Sequence, residues 1–277
     1  MPARTFSHAS FQPHNCQDTL IQSQSEERSL VPRTTLSASS LTGGLLRAMA
    51  INDPEIPSTY SPSHESPFLN EKFPSDPPPF HLTSVDLEIL AQSDSEFTPH
   101  SWSELRQIIA ENRLIDFKRW PSAARRYIAW STDIKREYGS ALAYIISERL
   151  HWKPIDLSES PPRFEVRNSV PFSDPADYKL LRNDWPYGNA EGILHIVVWL
   201  KTPLDVDAEG VLTPEGRGMV DTFVEKTFGE PLGDTGGKNN KVLWFKNSRG
   251  LQSVSALEHV HVLVRDTPAE LLGKWLG

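Results

Sequence analysis

Leu257-Glu258-His259-Val260-His261-Val262-Leu263-Val264-Arg265 is the stretch on which the reading of this chain turns. Successive strand side chains point to opposite faces, so His259 and His261 share one face while Val260, Val262 and Val264 share the other. Burial of the valine face fixes the register, because a slip of one residue would exchange the two sets. The histidine face must then look into a pocket, into solvent or onto another element. A second strand pattern, Ile193-Leu194-His195-Ile196-Val197-Val198-Trp199-Leu200, carries one imidazole among aliphatic residues. His195 can therefore join the pair.

Three chemistries suit such a set. A neutral imidazole can attack phosphorus while a neighbour orients or protonates, which makes His259, His261 and His195 the candidate catalytic residues. Alternatively His195, His259 and His261 could supply three ligands to a divalent metal such as zinc, the fourth position being water. The third possibility is structural, with ring nitrogens bonded to backbone or water. Outside the metal alternative, the sequence calls for no cofactor.

Around these strands the patterning alternates between helix and sheet. Helical periodicity begins at Thr83, with Val85, Leu87 and Leu90. Ser101-Trp102-Ser103-Glu104 has the form of a capping box ahead of a helix over 102–113. A longer helical stretch runs from Pro121 to His151, with a break expected at Gly139. After Pro161-Pro162 come short runs of strand type, Arg163 to Val170, Ile193 to Leu200, Lys241 to Lys246 and Ala256 to Arg265. Thr213-Pro214-Glu215 caps an amphipathic helix that should end before Gly229, and a Gly- and Asn-rich loop follows to Asn240. This order predicts an α+β fold. Its parts are a helical region over 83–160 and an α+β core over 161–277.

The first 85 residues hold 11 of the 23 Pro and none of the 8 Trp. Such a segment buries too little apolar surface to offset chain ordering, so 1–82 reads as a disordered Pro/Ser-rich tail. Cys16 is the one cysteine, which leaves no internal disulfide and points to a reducing compartment. No apolar run approaches the ~20 residues of a membrane span, and no secretory leader is evident. A cytoplasmic location follows. The Arg- and Ser-rich first 49 residues make mitochondrial targeting the alternative, opposed by Asp18, Glu26 and Glu27. A net charge of −8 argues against nucleic acid as a partner, and no membrane partner is expected. The sequence does not identify a protein partner.

The segments NDWPYG (183–188), GILHIVVWLK (192–201), LTPEGR (212–217), VLWFKNSRGLQSV (242–254) and EHVHVLVR (258–265) resemble, in order, the histidine-triad (HIT-like) fold. The resemblance implies an antiparallel sheet of HIT-like type and a small phosphorylated ligand, with His259 as the nucleophile, or His261 if the register shifts by two. It implies ligand-binding roles for Lys201, Asn247, Ser253 and Arg265, with Gln252 in the polar turn. Leu257 stands where the first triad histidine belongs, so an inactive binding protein is the alternative. Asn183, Asp184, Trp185 and Tyr187 sit in a turn-rich motif, which places the two rings at a pocket rim. Trp199 and Trp244 read as core.

A longer resemblance spans roughly 80–265. It is carried by Arg119-Trp120-Pro121-Ser122, Tyr127 with Trp130, EYGS (137–140), ERLHW (148–152), NDWPYG, HIVVW (195–199), WFKN (244–247), QSV (252–254) and EHVHV (258–262). These motifs are similar to a fungal family of unknown function typified by N-acetylglucosamine-induced protein. That resemblance implies a cytoplasmic fungal protein linked by expression to the amino-sugar response, without an assigned reaction.

Overall fold

The computed structural model describes residues 82–277 apart from 157–159, 209 and 253. All of these belong to one unit, Asp53–Gly277. The tail expected over 1–82 lies outside the described residues except for Leu82.

Helix α1 (Ser84–Leu90) starts from a reciprocal cap in which Asp86 N–H donates to the Thr83 hydroxyl and Thr83 N–H donates to the Asp86 carboxylate. Helix α2 (Trp102–Ala110) has only half of the expected box. Ser101 accepts from Glu104 N–H at 3.2 Å, but the Glu104 carboxylate lies 2.9 Å from His100 Nδ1. Helix α3 (Pro121–Tyr138) ends at Gly139, whose φ of +79° is the left-handed conformation glycine adopts at no steric cost. After this break a short α4 (Ala141–Tyr144) passes into a π-helical turn, Ile145–Leu150.

Strands β1 (Pro154–Asp156) and β2 (Arg163–Phe164) form a small antiparallel pair. The strand expected over Arg163 to Val170 stops after two residues, because the buried Asp177 carboxylate takes the N–H groups of Arg167 and Asn168 out of any ladder. The main sheet contains β3 (Tyr178–Arg182), β4 (Ile193–Leu200), β5 (Val242–Phe245) and β6 (His259–Arg265). Its spatial order is β3-β4-β6-β5, antiparallel throughout. Strand β6 begins at His259 rather than Ala256, since the Leu257 carbonyl turns to the His259 ring instead of a neighbouring strand. Helix α5 (Pro214–Val224) opens with Thr213 accepting from Gly216 N–H at 3.0 Å. It continues through a π turn (Glu225–Gly229) into α6 (Glu230–Leu232), beyond the expected stop at Gly229. A C-terminal helix, α7 (Ala269–Leu276), completes an α+β fold.

The two sheet faces divide as the alternation requires. Ile196, Val198, Leu200, Val260, Val262 and Val264 pack with Phe223 and Phe228 of the α5 region and Trp275 of α7. On the opposite face Leu243, Phe245 and Leu263 meet Trp102, Leu105 and Ile108 of α2. Farther along that face Val197 and Trp199 meet Ile146 and Leu150. The histidines lie between these two apolar clusters.

Candidate functional site

Strand pairing sets Trp199 opposite His259, Val197 opposite His261 and His195 opposite Leu263. All three imidazoles therefore share the face away from α5, with His195 one diagonal step from His261. His195 Nε2 lies 2.9 Å from His261 Nδ1. Each end of this pair meets an amide, Asn183 Nδ2 at 3.2 Å from His195 Nδ1 and Asn247 Nδ2 at 3.3 Å from His261 Nε2. Asn183 Oδ1 accepts from Trp185 N–H at 2.9 Å, which turns its Nδ2 toward His195. The Tyr187 ring stacks on His195 at 5.4 Å, and Phe245 stacks on His261 at 4.8 Å.

His259 is held differently. Its Nδ1 lies 2.8 Å from the Leu257 carbonyl oxygen, which can only accept, so Nδ1 carries the hydrogen. Nε2 then carries the lone pair, and among the described residues it has no hydrogen-bond partner. The ring packs on Trp199 at 4.6 Å.

Burial disfavours the charged imidazolium at all three positions. It lowers His195 to about 3, with the nearby Arg119 charge adding to the effect. His261 is pushed well below its ordinary value by burial and then by His195 and His259. Burial also lowers His259, although the Leu257 carbonyl and Glu258 oppose it. The set is neutral at pH 7.

His259, His261, Asn247 and Gln252 line a cavity of about 500 Å³. Its other walls bring in Tyr127, Trp130, Trp185 and Tyr187, together with Arg119 and Arg149. Trp185 packs against Tyr127 and Trp130 at centroid distances of 5.5 and 5.3 Å. Asp184 pairs with Arg149 at 2.8 Å. The turn that carries these residues closes at Gly188, where an added Cβ would fall 2.5 Å from the Phe97 ring. Gly188 N–H donates to the Lys118 carbonyl at 2.7 Å and its own carbonyl accepts from His100 N–H at 2.8 Å.

Of the residues singled out by sequence, Asn183, Asp184, Trp185, Tyr187 and Asn247 thus meet His259 and His261 at one cavity, whereas His195 does not line it and reaches it only through its contact with His261. Trp199 forms both core and cavity wall. Lys201 does not line it. Its ammonium lies 3.8 Å from the buried Asp177 carboxylate and donates to the Glu165 carbonyl at 3.3 Å. Arg265 also stands elsewhere, donating to the Asn240 carbonyl at 2.6 Å and covering the Trp102 ring at 4.8 Å. Ser253 lies outside the described residues. No three His, Cys, Asp or Glu side chains among the described residues are placed to hold a metal ion. His195 and His261 direct nitrogens at each other rather than at a common point, so the three-histidine metal set does not fit this geometry.

A model of the family described as "Protein of unknown function (DUF3605)" matches residues 101–265. The chain belongs to this family. Among similar proteins, "N-acetylglucosamine-induced protein 1" of Candida albicans is 29% identical over 179 residues, 61% of this chain and 69% of the relative. "Uncharacterized protein YPL067C" of Saccharomyces cerevisiae is 28% identical over 178 residues, 64% of this chain and 84% of the relative. A solved structure described as "Crystal Structure of HTC1" is 25% identical, with a TM-score of 0.46 over 63% of this chain and 91% of that one. The family match takes in every residue named at the cavity. It includes Arg119, Tyr127, Trp130 and Arg149, which sequence reasoning did not place at a site. Arg119-Trp120-Pro121-Ser122 and the three-residue spacing of Tyr127 and Trp130 mark a family signature, but helical spacing alone does not say that this face closes a cavity.

Proposed function

We propose that the cavity binds a small phosphorylated ligand carrying a ring, such as a nucleotide, a nucleotide sugar or an amino-sugar phosphate, and that His259 acts on its phosphorus. The observation that carries this reading is the His259 tautomer. With Nδ1–H committed to the Leu257 carbonyl, the Nε2 lone pair belongs to a neutral ring on the cavity wall. Attack would form an Nε2–P bond and break the P–O bond to the leaving group, whose oxygen takes a proton from water. The Leu257 carbonyl would steady the positive charge that develops on the ring. A water molecule then attacks phosphorus, the N–P bond breaks and the histidine is regenerated. Trp185 and Trp130 offer faces on which a ring can stack. Arg119 and Arg149 favour an anion, and the name of the Candida albicans relative puts phosphorylated amino sugars and nucleotide sugars first among ligands to test.

A second reading, binding without turnover, is favoured by Leu257. This residue is buried in an apolar cluster at the position where the HIT-like resemblance calls for a histidine. A cytoplasmic location accords with both readings. Among the described residues no helix is long and apolar enough to cross a membrane.

A thermal-shift screen of the full chain against nucleoside phosphates, nucleotide sugars and amino-sugar phosphates, followed by a product assay on each hit, tests the proposal. Binding raises Tm by preferential association with the folded state. A hit that is turned over by wild type but not by His259→Gln supports the catalytic reading. A hit bound equally by both and turned over by neither supports binding alone. Silence across all classes would overturn both.

A further inference from the structure

Arg119 stands out among the charged groups of the cavity. Arg149 has Asp184 at 2.8 Å. Arg119, by contrast, has neither a carboxylate nor a hydrogen-bond acceptor among the described residues; its Nε, like that of Arg149, is buried without a partner. A buried donor left unpaired is costly, so a native protein that keeps one generally has a use for it.

The surroundings hold this side chain in place. Lys118 N–H donates to His100 Nε2 at 2.9 Å, and the Lys118 carbonyl accepts from Gly188 N–H at 2.7 Å. On the other side Trp120 is the N-cap of α3, its carbonyl accepting from Ala124 N–H at 2.8 Å. The guanidinium carbon lies 4.8 Å from the Tyr127 centroid and 5.2 Å from that of Tyr187. Neither aromatic ring supplies a lone-pair acceptor, so these contacts do not satisfy the N–H donors of the group with hydrogen bonds. Those donors remain available, and Arg119 is close enough to the histidine pair for its charge to act on His195 and His261.

We propose that Arg119 is the anion anchor of this cavity, a preformed guanidinium that takes the phosphate or diphosphate of the ligand through its in-plane N–H donors. The inference builds on the phosphorylated-ligand reading, but it concerns binding alone and does not need His259 to react.

Isothermal titration of the full chain with inorganic pyrophosphate, for wild type, Arg119→Gln, Arg119→Lys and Arg265→Ala, tests it. Loss of charge-assisted hydrogen bonds should weaken binding roughly ten- to hundredfold in Arg119→Gln, with partial recovery in Arg119→Lys, whose point charge lacks the fork. Arg265→Ala, which removes a cation that stands outside the cavity, should bind pyrophosphate within about twofold of wild type, well short of the tenfold that a lost hydrogen bond to charge represents. Because Arg119 has no acceptor among the described residues and only ring contacts to lose, Arg119→Gln should lower Tm by no more than a few degrees, whereas removing a hydrogen-bonded structural arginine would lower it further. Equal affinities in wild type and Arg119→Gln would overturn the anchor while leaving the cavity's ligand class standing. Absence of pyrophosphate binding in wild type would overturn the anchor outright. Pyrophosphate binding that depends on Arg119, in a chain silent to every organic phosphate, would uphold the anchor and overturn the broader reading.

Discussion

His195 Nε2 and His261 Nδ1 are 2.9 Å apart between two buried rings. Two imidazoles in such contact share one hydrogen, so at most one of the facing nitrogens is protonated and the pair resists taking up charge. This arrangement makes stability depend on pH. The folded pKa values of His195, His259 and His261 all lie below the ordinary histidine value near 6.5. Well above pH 6.5 neither the folded nor the unfolded chain protonates these rings, and their contribution to stability is complete. As pH falls through 6.5 the unfolded chain binds protons that the folded chain refuses, so stability declines toward the folded values. The slope approaches about 1.4 kcal/mol per pH unit for each ring that stays neutral while its unfolded counterpart takes up a proton. Denaturant midpoints measured from pH 7.5 to 5 should fall accordingly, and His195→Gln should flatten the curve.

Asn183 joins the turn to the histidine pair through Trp185 N–H and the His195 ring. Asn183→Ala removes the partner of Trp185 N–H and of His195 Nδ1 and should cost about 1–3 kcal/mol in urea unfolding. The same variant should weaken ligand binding, because the turn that carries Trp185 and Tyr187 loses its tie to the sheet.

Gly188 admits no side chain, since a Cβ would lie 2.5 Å from the Phe97 ring and 3.1 Å from Trp120 N. Gly188→Ala should therefore destabilise by about 1–3 kcal/mol, the usual cost of overpacking. A Tm lowered by several degrees would register it.

Lys201 and Arg265 are cationic and near the sheet in sequence, but both stand outside the cavity. Arg265→Ala should leave ligand affinity within about twofold of wild type, a difference far smaller than one lost charge-assisted hydrogen bond. Lys201→Ala should do the same for binding while lowering stability through its contact with the buried Asp177.

Periodicity makes the framework of this fold readable from sequence. Valine alternation in β6 and aliphatic alternation in β4 can satisfy burial in one register only, and the same alternation gathers the histidines on one face. The break at Gly139 and the caps at Ser101 and Thr213 are legible because backbone geometry demands particular residues there. Strand β3 is less legible, since Lys179 and Arg182 interrupt a five-residue run that strand pairing nevertheless accommodates. Helix α7 follows Thr267-Pro268 with only eight residues, too few for periodicity to stand out, yet Trp275 reaches Phe228 at 4.8 Å. Arg119 is invisible to pattern reading for a further reason. Its character comes from the partners it lacks, and that information exists only once the elements around it are assembled.

The most direct test of the account is nitrogen-15 NMR of the histidine rings in the full chain at pH 7, before and after addition of a phosphorylated ligand that raises Tm. The account predicts a neutral His259 with the hydrogen on Nδ1 and an unprotonated Nε2, and an Nε2 resonance that shifts on binding. A His259 ring that is charged at pH 7, that carries its hydrogen on Nε2, or whose resonances ignore the ligand would contradict it.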